Sequence, residues 1–217
     1  MAGKRTIGDT EASTSVKTSR RSDPARVESR RHQILDAAAA CFRRHGFRGA
    51  SMSELSACAG MSTGHIYHYF KSKEAIVEAI VERCQQQGLA LIESLKGADD
   101  ILQTMVAKVG SAMTEMAKTA DPGLVLEILA EASRNPVVAE IVRSKEATIL
   151  RSLEEVLAAG QRQGTIDPAY HVPSLARLLS ALFDGLSLHR AVSPDLDLGA
   201  INPLHQELLR RFLSPKA

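Results

Sequence analysis

Apolar residues recur three and four positions apart along most of the 217-residue chain, the period of a helix that buries one side. Ile34, Leu35, Ala38, Cys41 and Phe42 form the first such stripe and predict a helix over 25–45, stopped by Gly46. Ser51-Met52-Ser53-Glu54 has the form of a capping box. It predicts a second helix that turns Leu55 and Cys58 inward and ends at Gly60. Ser62 caps a third, short helix through Tyr69, and Ser72 a fourth that runs to about residue 95. Five more helical stretches are predicted over 99–119, 122–134, 136–163, 173–192 and 203–213, separated by breaks that carry Pro or Gly. No segment alternates as a strand does. The expected fold is all-α, with a three-helix head joined to a larger helical body. The expected divisions are a disordered basic tail over 1–24, the head over 25–71 and the body over 72–217.

Charge sharpens this division. The formal net charge is +2, but residues 1–71 hold 12 Lys and Arg against 6 Asp and Glu, whereas residues 72–217 hold 15 against 19. A basic head on a mildly acidic body suits a polyanion that meets one part only. The composition, 24% charged and 44% hydrophobic with mean hydropathy −0.09, excludes collagen-like and fully disordered chains. No run approaches the roughly 18 apolar residues of a membrane helix, and the N-terminus has no apolar core of a secretory signal. Three scattered cysteines (Cys41, Cys58, Cys84) argue against a disulfide framework and point to a reducing, cytoplasmic setting.

Residues 52–69 carry the most information. Two short helices meet at Gly60, small Ala57 and Ala59 allow close approach, and Leu55, Met61 and Ile66 sit where a helix-turn-helix needs core contacts. The second of these helices then turns Thr63, Gly64, His65, Tyr67 and His68 outward, residues suited to base edges and phosphates in a major groove. Five of the eight Phe and Tyr residues fall between 42 and 70, as a small head that builds its own core requires. Other chemistries read less well. His65 and His68 are three apart but lack the further ligands a zinc site needs, so no metal is expected. Cys41 and Cys58 read as buried small hydrophobes. His171, Asp184, Ser187 and His189 suggest a catalytic set only if taken without a phosphate loop or nucleophile elbow, which the chain lacks. The rival functions are therefore a DNA-coating structural protein and, further off, a small helical enzyme.

Ile34-Leu35-Asp36-Ala37-Ala38, then Phe42, His45-Gly46-Phe47 and the continuous run from Ala59 through Tyr67-His68-Tyr69-Phe70-Lys71-Ser72-Lys73-Glu74-Ala75 resemble the DNA-binding head of the TetR/AcrR-type transcriptional repressors. The resemblance spans about residues 26–80. It implies a homodimer that binds a palindromic double-stranded DNA operator and is released by a small molecule entering the body, with no cofactor and no membrane. It further implies that Ser51 caps the second helix and touches a phosphate. Thr63, Gly64 and His65 would approach bases or phosphates, and Tyr67 and His68 the backbone, His68 also a base. Lys73 would meet a phosphate at a helix start. Ala50-Ser51 stands where the family commonly has a Thr pair, and His65 where it has Thr or Ser.

In the body, Leu175, Leu178, Leu179, Leu182, Phe183 and Leu186 follow one helical stripe, and Leu204, Leu208 and Phe212 a second. Either stripe can face the core. The resemblance favours a four-helix interface across a two-fold axis, assigned to Leu175, Leu178, Leu182, Leu186, Leu204, Leu208 and Phe212. Met105, Met113 and Met116, with Phe183, are the candidate lining for an apolar or amphipathic effector, since thioethers adapt to varied guests.

Overall fold

A computed structural model describes residues 24–119 and 121–216, apart from the side chains of 116–119. Among the described residues there are nine helices and no strand: α1 (Pro24–Gly49), α2 (Met52–Cys58), α3 (Thr63–Tyr69), α4 (Lys73–Glu93), α5 (Ile101–Thr119), α6 (Pro122–Ala132), α7 (Pro136–Gln163), α8 (Val172–Val192) and α9 (Leu198–Leu213). The tail expected over 1–24, Pro24 apart, and the Met116 side chain lie outside the described residues.

Local chemistry sets most boundaries. The Ser51 hydroxyl accepts the Glu54 N–H at 3.1 Å and the Glu54 carboxylate accepts the Ser51 N–H at 2.6 Å, so the capping box forms with both halves made. The side chains of Ser62, Ser72, Asp121 and Asn135 cap α3, α4, α6 and α7 by accepting first-turn N–H groups. Gly46 has φ 69° and divides α1 from a last turn that lays Phe47 against Phe42, ring centroids 5.5 Å apart. Gly60, φ 63°, makes the turn between α2 and α3.

The interior forms two clusters. One joins Ile34, Phe42, Phe47, Leu55, Ile66 and Phe70 to Ile76 and Ile80 of α4, and takes in Leu124 and Ile128 of α6 and Val138 of α7. The other joins the end of α4 to α5, α7, α8 and α9 around Ile101, Leu157, Ile166 and Leu213. Helix α4 runs along α7, α5 runs along α9, and α6 touches α1, α7 and α8.

Three expectations need correction. Helix α9 starts five residues before Pro203: Asp197 accepts the Ala200 N–H at 3.2 Å and Pro203 lies inside the helix. The missing Pro N–H costs about 3 kcal/mol, offset by burial of Leu209 and Leu213 on the same helix. Cys58 is exposed while Cys41 is enclosed, because Leu55, Ser56 and Ala59 fill the inner face of α2. Burial, aided by the neighbouring Cys58 thiol, pushes Cys41 up to about 12. Leu175 is buried in its own subunit, 3% exposed, since the α8 stripe is wider than one face and Leu175 shares the inner side with Leu179. Leu175 is therefore not free for a partner. Half-buried Phe212 stacks on Tyr170 at 4.9 Å against the second cluster.

Gly160 marks the tightest approach. A Cβ there would lie 2.6 Å from Ile166 Cδ1, and Ile166 is fully buried. Gly160→Ala should lower the stability of the chain in urea unfolding, because overpacking of about 1–3 kcal/mol outweighs the gain in helix propensity of up to about 1 kcal/mol; Gly160→Val should lower it further.

Candidate nucleic-acid interface and body cavity

Helix α3 buries Ile66 and exposes Gly64, His65, Tyr67 and His68, with Thr63 half-buried at its start. The rings of His65 and His68 lie 5.4 and 5.3 Å from Tyr69, so one half-buried tyrosine steadies both imidazoles. Nothing lies within 4 Å of a Cβ placed on Gly64; the absent side chain leaves open space on the outer face. Ser51 is exposed at the start of α2. The Lys73 ammonium donates to the Phe47 carbonyl at 2.7 Å and sits 4.4 Å from the centre of the Phe47 ring. The sequence suggested only a phosphate for Lys73; its first partner is the end of α1. Two of its three N–H donors remain.

The head is held to the body chiefly through α6. The Phe47 N–H donates to Glu127 Oε1 at 2.7 Å. Arg43 pairs with Asp121, and Arg48 stands 4.0 Å from Glu131, a buried carboxylate that also accepts from Arg134 at 2.6 Å and Asn135 at 3.2 Å. Arg83 of α4 adds a 2.7 Å bond to Asp36 of α1. This acidic face of α6 was missed in the sequence. Its one signal is Glu127 and Glu131, four apart in an otherwise apolar helix.

The opposite side of α6 borders a cavity of about 510 Å3 among α4, α5, α7, α8 and α9. Met105, Met113 and Phe183 line it, as expected, together with Pro122, Val125 and Leu129 of α6 and with His205, which the sequence reading passed over. A second cleft of about 340 Å3 lies between α1, α4 and α6 and shares Val81, Cys84, Gln87, Val125, Leu129 and Val142 with the first.

Residues 34–80 match the profile of bacterial regulatory proteins of the tetR family, and residues 102–214 match the C-terminal domain of BetI-type transcriptional repressors. The HTH-type transcriptional regulator UidR of Escherichia coli is 34% identical over 160 residues, 72% of this chain and 79% of UidR. The chain belongs to the tetR family of transcriptional regulators. In solved structures, Salmonella enterica GusR superposes with TM-score 0.71 at 30% identity, covering 85% of this chain and 95% of GusR. SmeT, in a complex with triclosan, gives 0.72 at 26% identity, covering 83% and 90%.

As in those regulators, the head and an all-helical body form one chain, and this tetR-family member is not an enzyme. Three polar residues of the C-terminal half are separately engaged: His171 Nδ1 with Ser174 at 2.9 Å, the Ser187 hydroxyl with the Phe183 carbonyl at 3.1 Å, and Asp184 with Ser180 at 3.4 Å. Desolvation by its neighbours raises the Asp184 carboxyl above the ordinary aspartate value. Of the residues assigned to an interface, Leu178, Leu204 and Leu208 are 54%, 71% and 47% exposed, and Leu182 and Leu186 are half-buried. No described helix is long and apolar enough to cross a membrane.

Glu127→Gln removes the charge from the bond that the Phe47 amide makes. A hydrogen bond to a charged group exceeds a neutral one by about 1 kcal/mol, so the Phe47 amide should exchange with solvent several-fold faster in the variant, measured by NMR, while amides of α7 keep their rates.

Proposed function

We propose that this regulator binds a palindromic operator as a homodimer, in the cytoplasm, and represses until a small apolar or amphipathic molecule occupies the body cavity. The observation that carries the reading is the double engagement of α6, which grips the end of α1 by Glu127 on one side and walls the cavity by Val125 and Leu129 on the other. A ligand shifts DNA affinity only through its differential affinity for two arrangements of the chain. A guest that fits best with α6 displaced weakens the bond that sets the head. That SmeT was solved with triclosan supports a ligand-binding body of this architecture.

On DNA, α3 lies in the major groove with Thr63, Gly64 and His65 near its N-terminal end. Tyr67 and Ser51 meet the backbone, and His68 reaches a base edge. Lys73 ties α4 to α1 and gives a spare N–H to a phosphate. Selection of sites from random duplexes should return an inverted repeat with half-sites about one helical turn, roughly 34–36 Å, apart. His68→Ala should relax one position per half-site at a cost of about 1–3 kcal/mol, whereas Lys73→Ala should weaken all sequences alike and lower the salt slope by about one. A consensus without dyad symmetry refutes the reading.

The partner subunit packs on α8 and α9 through Leu178, Leu182, Leu186, Leu204 and Leu208. An unpaired charge buried there costs about 3–5 kcal/mol. Leu208→Arg should therefore give a folded monomer by light scattering with helical content unchanged, because Leu208 is exposed in the single chain. A dimer that survives both Leu204→Arg and Leu208→Arg has its interface elsewhere.

A further inference from the structure

Much of the cavity wall is apolar. Ile92, Met105, Met113, Leu179 and Leu209 are buried there, and among the described lining residues His205 is the buried polar one, 6% exposed. The charged lining residues Lys108, Lys145, Arg190, Glu146 and Asp184 are half-buried or exposed and carry both signs, so they impose no single-sign field. Lys108 is occupied by the Ser94 carbonyl at 3.1 Å and Glu146 by Arg177 at 3.3 Å.

His205 differs from a core histidine whose bonds are met. Its Nδ1 is enclosed and has no hydrogen-bond partner among the described residues. Burial holds its pKa below the ordinary histidine value, so at neutral pH the ring keeps a single proton. A proton on Nδ1 would be an enclosed donor without an acceptor, the rarer kind of orphan. The proton therefore belongs on Nε2, which is left as a donor on a residue that lines the cavity. A charged group brought against these apolar walls would lose its water, whereas a carbonyl or ether oxygen loses far less.

We infer that His205 is the polar anchor for the effector, donating from Nε2 to an oxygen acceptor on an uncharged, otherwise apolar molecule that lies against Met105, Met113 and Phe183. The inference rests on the effector reading above and adds the chemical class. It can be tested with three probes of one shape: 2-acetylnaphthalene, which carries an acceptor, 2-ethylnaphthalene, which does not, and anionic 2-naphthoate. Each is titrated calorimetrically into the full chain and into His205→Phe, with His205→Leu as the smaller replacement should the Phe variant not fold. The full chain should bind the ketone several-fold to about tenfold tighter than the hydrocarbon, and the naphthoate more weakly than the ketone. In the apolar variants the ketone's advantage should shrink to within about twofold while hydrocarbon binding persists. A ketone advantage that survives loss of the imidazole, or is missing from the full chain, overturns the anchor and leaves the effector cavity standing. Tightest binding of naphthoate overturns the uncharged class and moves recognition to Arg190 and the lysines. If none of the three binds the full chain, both the anchor and the effector reading fall.

Discussion

Phe47 is the residue through which three helices are tied. Gly46 breaks α1, so the Phe47 N–H is one of the donors that the start of any helical turn leaves without an internal acceptor. A carboxylate eighty residues away, Glu127, takes it. The Phe47 carbonyl accepts from Lys73 of α4, the ring lies under the same ammonium, and its other contact is Phe42 in the core of the head. The orientation of α2 and α3 follows from this junction, because both pack on α1 and α4 through residues of the same apolar cluster.

The charge division along the chain has its structural counterpart here. The basic end of α1, with Arg43 and Arg48, meets Asp121 and Glu131 of α6. The partly exposed Arg43–Asp121 pair contributes about 0–1 kcal/mol, and Arg48 stands 4.0 Å from a Glu131 carboxylate already bonded by Arg134 and Asn135, so their part is to set register. The greater stabilisation comes from burial of Leu124 and Ile128, which carry α6 into the core of the head. The head therefore has no closed interior of its own; part of it is supplied by the body.

What the sequence made legible was local. Each serine cap from Ser51 to Ser72 acts within three residues, and each was found where the pattern put it. The outward set on α3 was legible for the same reason, since Ile66 fixes the buried face and the period fixes the rest. Periodicity gives a face without naming its neighbour, and so it could not separate Leu175, turned to its own core, from Leu178, left exposed. In α2 the stripe is too short to define a face, which is how Cys58 was misplaced. The bond from Phe47 to Glu127 and the unmet nitrogen of His205 leave no pattern at short range, because each depends on helices brought together by the whole fold. Pro203 misled by following a rule too well: proline favours a first turn, but Asp197 had already supplied the start.

That proline has an effect on the cavity as well. Without an N–H at residue 203, the carbonyl of Gly199 loses its regular partner, and the turn of α9 that leads into His205 is held by one backbone bond fewer than an unbroken helix. What steadies it is sideways, the Asn202 amide reaching the Gly110 carbonyl of α5 at 3.3 Å. Leu198 and His205, on either side of this turn, both border the cavity. At this turn the cavity wall is thus tied to α5 by a side-chain bond where an unbroken helix would rely on its own backbone.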